Sequence, residues 1–160
     1  QDELRFVFLS KKPDTHLEFD IDTLSKEDSS NPIFYINYAN ARIHTMMAKS
    51  TLSEEEILSA KIASLVNKEG ENSEHSKQVM ELAFLSMLLP RIAEMAYEER
   101  SLQKICEYLK NLASAYHGFY NATKILDSKN EALYLKISKL ASLSITQGLA
   151  LLGIEAKTKM

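Results

Sequence analysis

An all-α fold, a bundle of five or six helices, is what this 160-residue sequence predicts, and three observations carry the expectation. Glycine and proline are scarce, 4 and 3 in number, so the turn-dense signature of an all-β chain is missing. Apolar residues make up 45% of the chain, enough for a core, and in most segments they recur at three- and four-residue spacing. Helix start and stop signals punctuate those segments.

Asp2-Glu3-Leu4-Arg5-Phe6-Val7-Phe8-Leu9 reads as a short buried helix, ended by the turn signal Lys11-Lys12-Pro13-Asp14. His16-Leu17-Glu18-Phe19-Asp20-Ile21-Asp22 alternates apolar and polar residues, the period of an extended segment; a loop pinned by its apolar side chains fits equally. Asn31 can cap a long helix and Pro32 fits its first position, with an end near Ala48. Ser53-Glu54-Glu55-Glu56 has the form of a capping box, opening a helix whose apolar positions Ile57, Ala60, Ile62 and Leu65 lead to a stop at Gly70. Residues 70 to 76 follow as a polar connector.

Val79, Leu82, Ala83, Leu85 and Met87 set a helical period from Lys77 to Leu89; Pro90 breaks it before Ile92 to Tyr97 resume. Ser101 is the expected cap of a helix placing Leu102, Ile105, Cys106, Leu109, Leu112, Ala113 and Tyr116 on one face and ending near Asp127. Ser128-Lys129-Asn130-Glu131 suggests a second capping box. Its helix carries Leu133, Ile137, Leu140, Ser144, Gly148 and Leu151 on a stripe before Gly153 caps it. No repeat or low-complexity tract divides the chain, so residues 25–160 form one compact unit with residues 1–24 as an appendage.

Composition excludes several functions. A net charge of −3 argues against a polyanion binder that works through a broad basic face, so any nucleic-acid role has to be local. The single cysteine, Cys106, forms no intrachain disulfide, and no zinc spacing occurs. The run Leu82 to Leu89 is far shorter than the ~20 residues that span a bilayer, and the N-terminus lacks a signal-peptide pattern. A soluble, cytoplasmic protein with no membrane partner is expected. His16, His44, His75 and His117 pair with no nucleophile in an ordered motif, Glu54 to Glu56 suit a helix dipole better than a metal, and no phosphate loop is present.

Aromatic and cationic residues cluster instead. Tyr35, Tyr38 and Arg42 share one face of the helix from Pro32, with Asn37 and Asn40 beside it. Tyr116 and Tyr120 repeat at i, i+4, with His117 and Asn121 adjoining. Unstacked bases are recognised by such rings and guanidinium planes. Taken alone, tyrosines at helical spacing in a bundle are more often packing residues with a wet hydroxyl.

Five segments in order resemble arginyl-tRNA synthetases. Asp2-Glu3-Leu4-Arg5 is similar to the family's D-A-L-R element, with Glu3 in place of Ala, and His16-Leu17-Glu18-Phe19-Asp20 to its S-H-L-D-F-D segment. Asn31 to Ile43 resembles N-P-x-Y-Y-x-x-Y-A-x-A-R-I, and Leu112 to Asn121 resembles L-A-x-x-F/Y-H-x-F-Y-N. Gly148 to Ile154 with Met160 resembles the G-L-x-L-L-G-[VI]…M ending. The resemblance implies a helical bundle of the class I synthetase anticodon-binding type over residues 25–160, with 1–24 as the tail of a catalytic domain.

The family charges arginine tRNA with arginine, using ATP and Mg. Its HIGH-like and KMSK-like signatures are missing from this chain, so the resemblance implies a fragment that is inactive alone, with no catalytic residue, metal ligand or cofactor of its own. Carried over position by position, Tyr38, Arg42, Tyr116, Tyr120 and Met160 are the anticodon-binding residues, Arg42 for hydrogen bonding and Tyr116 and Tyr120 for stacking. Tyr35, His117 and Asn121 follow as secondary candidates, since their direction suits packing equally. Competing expectations are a helical protein–protein interaction module and the helical tail of another class I synthetase. The ordered segments discriminate against the first, and the Tyr-Ala-x-Ala-Arg run with the terminal Met against the second.

Overall fold

The computed structural model describes residues 1–12, 25–61 and 74–160, with side chains from residue 76 onward in the last stretch. Seven helices occur among the described residues: α1 (Asp2–Leu9), α2 (Pro32–Lys49), α3 (Glu54–Ser59), α4 (Glu74–Met87), α5 (Leu89–Glu99), α6 (Gln103–Ala122) and α7 (Glu131–Leu151). The expected all-helical bundle is present, as six helices with α1 added. His16 to Asp22, Ile62, Leu65 and Gly70 lie outside the described residues. Among the described residues no helix is long and apolar enough to cross a membrane.

The long helices α6 and α7 form the centre. α2 and α4 pack on both, α5 covers α6, α3 lies on α7, and α1 rests against α2 and α6. The stripe anticipated on α6 is the buried one: Ile105, Cys106, Leu109, Leu112, Ala113 and Tyr116 are at most 2% exposed. On α7, Leu133, Ile137, Ser144 and Gly148 are buried as expected, while Leu151 is exposed. Close packing explains Gly148, where an added Cβ would lie 2.7 Å from Leu109 Cδ2. α1 is less buried than expected. Phe6 alone enters the core, and Leu4 and Phe8 stay exposed.

Capping departs from expectation in three places. Asn31 caps α2 by accepting from the Ile33 and Phe34 amides at 3.1 and 3.2 Å, and Ser53 with Glu56 completes the reciprocal capping box of α3. α3 ends at Ser59, earlier than expected, with Lys136 on α7 donating to the Leu58 and Ala60 carbonyls at 2.6 and 2.8 Å. Ser101 is not the cap of α6. Left-handed Arg100, with φ 51°, turns the chain so that Leu102 takes that position without a side-chain bond, and α6 ends at Ala122. The second capping box also fails to form. Ser128 donates to the Ile125 carbonyl, and Glu131 accepts from the Asp127 amide at 2.7 Å and from Ser50 Oγ at 2.6 Å, tying α7 to the end of α2.

Pro90 separates α4 from α5 as anticipated, at a turn that resumes already at Leu89. The break frees the Ser86 carbonyl, since Pro90 has no N–H to offer it four residues on, while the Leu85 carbonyl accepts from the Leu88 amide at 3.1 Å. Ser144 on α7 donates to the Ser86 carbonyl at 2.6 Å, and the Tyr108 hydroxyl on α6 donates to that of Leu85 at 2.9 Å. At its far end α7 closes with paired bonds from Ile154 and Gly153 to the Leu149 and Ala150 carbonyls, with Gly153 at φ 69°. Arg5 donates to the Gly153 carbonyl, which joins α1 to this turn.

Two glycines give opposite expectations. Gly148→Ala forces a methyl against fully buried Leu109 and is expected to cost about 1 to 3 kcal/mol in urea unfolding. Gly118, mid-helix on α6, has no atom beyond its own helical backbone within 4 Å of an added Cβ, and Gly118→Ala is expected to stabilise by about 0.5 to 1 kcal/mol in the same assay.

Candidate nucleic-acid interface

α2 and α6 run side by side, and their facing edges bring the aromatic residues of the two segments together. Arg42 bridges them: its guanidinium carbon lies 4.5 Å from the Tyr38 ring centroid and 4.4 Å from that of Tyr120. One of its nitrogens also donates to the Tyr38 hydroxyl at 2.6 Å. The guanidinium is therefore held over both rings, with N–H groups left over for another acceptor.

Tyr38 rests in turn on a ladder of rings. Phe34 stacks on it one turn earlier, centroids 5.9 Å apart, and His117 lies at 5.6 Å with an interplanar angle of 25°. Beneath, His117 meets Tyr35 at 4.4 Å, and its Nε2 lies 3.2 Å from the Tyr35 carbonyl. A carbonyl only accepts, so that nitrogen carries the proton in the neutral ring. Burial depresses the His117 pKa below 6.5; the Tyr35 carbonyl opposes this, and the charge of Arg42 reinforces it.

In front of the guanidinium is a groove of about 300 Å³, lined by Tyr38, Ala41, Arg42, Thr45, Met46, Lys49, Tyr120, Leu126 and Met160. Of the five residues expected to carry the site, Tyr38, Arg42, Tyr120 and Met160 thus meet at one place. Tyr116 does not. Its ring is 0% exposed and packs against Phe119 and Tyr120 in the core, so no base can stack on it in this arrangement. The expectation of a stacking surface there is corrected to a support beneath Tyr120. Its position follows from the α6 stripe, in which Tyr116 continues the inward face of Leu109 and Leu112.

The secondary candidates also separate. His117 is 7% exposed and supports Tyr38 from below. Tyr35 lines a different cavity with Pro32, Lys110 and Ser114. Asn121 is exposed but outside the groove lining. Thr45 and Lys49 went unnoticed in the sequence although they continue Tyr38 and Arg42 at i+7 and i+11 on the same face of α2. Leu126 had no local signal, coming from the turn between α6 and α7.

Asn37 and Asn40, expected beside that face, both point inward. They are 2% and 0% exposed and hold the chain beyond α7: Asn37 Oδ1 accepts from the Lys157 amide at 2.9 Å, and Asn40 Nδ2 donates to the Lys157 carbonyl at 3.1 Å. Among the described residues, no group of three His, Cys, Asp or Glu side chains is arranged to hold a metal ion. Burial pushes the Cys106 thiol up to about 12, which leaves it protonated and inert.

Two measurements follow from the buried rings. The Tyr116 hydroxyl has no hydrogen-bond partner among the described residues; Ser138, which faces it, donates to the Tyr134 carbonyl instead. Tyr116→Phe is accordingly expected to leave the melting temperature unchanged or raised, whereas Tyr116→Ala is expected to cost about 3 to 5 kcal/mol. For His117 the folded pKa lies below the unfolded one, so the unfolded chain binds more protons and stability rises with pH across that gap. The contribution is complete above roughly pH 6.5 and is lost as pH falls toward the folded value. Melting temperatures between pH 7.5 and 5 are expected to fall less in His117→Gln than in the unaltered chain.

Residues 36–160 match the family described as DALR anticodon binding domain. An arginine–tRNA ligase of Wolinella succinogenes is 56% identical over 159 residues, covering 99% of this chain and 28% of the relative. The chain thus spans under a third of that relative's length. A crystal structure from Campylobacter jejuni, described as an arginyl-tRNA synthetase, superposes with a TM-score of 0.87 at 47% identity, over 99% of this chain and 33% of that one. The arginyl-tRNA synthetase of Thermus thermophilus, at 24% identity and a TM-score of 0.75, over 99% of this chain and 26% of its own, shares the fold.

Proposed function

The chain belongs to the DALR anticodon-binding domain family, and from that premise we propose that it reads the anticodon of arginine tRNA as part of an arginine–tRNA ligase. The observation that carries the proposal is the Arg42 guanidinium held between Tyr38 and Tyr120 at the wall of a groove. Single-stranded bases are bound by stacking on rings or guanidinium planes and are told apart by hydrogen bonds to their edges. Tyr38 and Tyr120 hold the guanidinium in place, the outward N–H groups of Arg42 offer donors to a base edge, and the part-exposed edges of the two rings and Met160 line the groove that would receive the base. A cytosine at the middle anticodon position presents acceptors that such donors suit.

The charge distribution supports a local reader. With a net charge of −3, and only Arg42 and Lys49 as cations in the groove lining, this surface contacts few phosphates. Most of the affinity for tRNA then has to come from surfaces outside this chain. Arginine, ATP and Mg belong in this proposal to the remaining part of the enzyme, in the cytoplasm, with residues 1–24 as its junction to the bundle. The exposed Met80, Phe84 and Met87, spaced i, i+4, i+7 on α4, are the one observation favouring a protein partner instead.

Binding of the chain to an arginine tRNA anticodon stem-loop, and to the same loop with its middle C changed to U, tests the proposal at fixed salt. The C loop is expected to bind more tightly, Arg42→Ala and Tyr120→Ala each to lose about 1 to 3 kcal/mol, and Tyr116→Phe to lose nothing. Equal affinity for both loops, untouched by either alanine, would remove the anticodon reading.

A further inference from the structure

We propose that Asn37 and Asn40 are positioning residues which clamp the C-terminal segment so that Met160 stands in the groove, and that the groove's base selectivity depends on them. The inference rests on the anticodon reading above and adds residues that touch no base.

Two buried amides on a helix one turn from an exposed recognition face need partners, because an unpaired buried amide is costly. Here the partners are both polar groups of a single residue. Lys157 gives its N–H to Asn37 Oδ1 at 2.9 Å, and its carbonyl accepts from Asn40 Nδ2 at 3.1 Å. Residues three apart on a helix stand about 5 to 6 Å apart, a spacing that lets one side chain take each end of one residue. Ser142 on α7 donates to Asn40 Oδ1 at 2.6 Å, which fixes the amide with its NH₂ toward Lys157.

The segment is therefore anchored twice. Ile154 is 3% exposed and closes the α7 turn, and Lys157 is held three residues later. From Lys157 to Met160 the chain reaches at most about 10 Å, so the clamp sets the sphere in which the Met160 side chain is found. Met160 lines the groove while remaining 54% exposed, which leaves the tail itself too little packing to hold that place. Both bonds run through the backbone of Lys157, so the identity of its side chain does not matter to the clamp.

The test uses the whole chain with isotope-labelled methionine methyls and the two stem-loops, middle C and middle U. Lys157→Pro removes the clamped N–H without touching the core; Asn37→Leu removes its acceptor, and Asn37→Asp retains it. Lys157→Ala keeps the backbone. In Lys157→Pro and Asn37→Leu the Met160 methyl is expected to lose its ring-current shift and the C-over-U preference to fall roughly tenfold, as in Met160→Ala. Lys157→Ala and Asn37→Asp are expected to behave like the unaltered chain. Should Asn37→Leu not fold, Lys157→Pro with an unchanged melting temperature decides.

The clamp is overturned if Lys157→Pro keeps both shift and preference while Arg42→Ala loses the preference. If the unaltered chain shows no preference, the anticodon reading fails by itself. The methyl shift then judges the clamp alone: a shift retained in Lys157→Pro overturns it, and a coil-like shift upholds it.

Discussion

A guanidinium sandwiched between two tyrosines on different helices tolerates little play between those helices. Ring-to-cation distances of 4.5 and 4.4 Å lie inside the ~6 Å reach of a cation–π contact, and both are kept only while α2 and α6 hold their register. The core supplies that fixity. Tyr116, itself packed on Phe119, fills the space under Tyr120, His117 fills the space under Tyr38, and Gly148 lets α7 approach Leu109 closely enough to back α6. Residues never exposed to a ligand thus set the geometry of those that are.

The same economy governs the backbone. At several helix ends a side chain from another helix meets a backbone carbonyl: Ser144 and Tyr108 at the Pro90 break, Lys136 at the end of α3, Arg5 at the turn after α7. Each such bond ties two elements together, and the one from Ser144 also satisfies a buried carbonyl. The Asn37 and Asn40 amides do this for a segment with no regular structure at all. Tertiary contacts, more than local capping, decide where these helices end.

That is also why the sequence was legible in some places and silent in others. Helical periodicity is a local property, and it located α2, α6 and α7 and their inward stripes down to Ile105, Leu112 and Ile137. Asn31-Pro32 and Ser53 to Glu56 act within one turn and were readable too. Ser101 and Ser128 looked equally good as caps but lost to the left-handed turns at Arg100 and Asp127, which depend on how neighbouring helices meet. At the site, the i, i+4 spacing that identified Tyr38 and Arg42 extends to Thr45 and Lys49. The stripe of Leu109 and Leu112 carries Tyr116 inward, whereas half-buried Tyr120, one turn later, ends it at the groove. The roles of Asn37 and Asn40 depend on Lys157, more than a hundred residues away, and no local pattern encodes such a pair.

An acidic chain carrying this groove has to gain selectivity without long-range attraction, and the geometry of Arg42 suits that condition. A flexible cation on an open surface loses side-chain freedom when it binds a base edge, and that loss offsets much of the bond. Arg42 has already lost it, being ordered by two rings and the Tyr38 hydroxyl before any ligand arrives. Its remaining donors lie in the plane of the guanidinium, so an acceptor is favoured along that plane and disfavoured elsewhere. A lysine at the same position would keep the charge but present no plane, and the two tyrosines would no longer fix a direction. On the proposed reading of a base by Arg42, direction, not charge, is what would distinguish one edge from another.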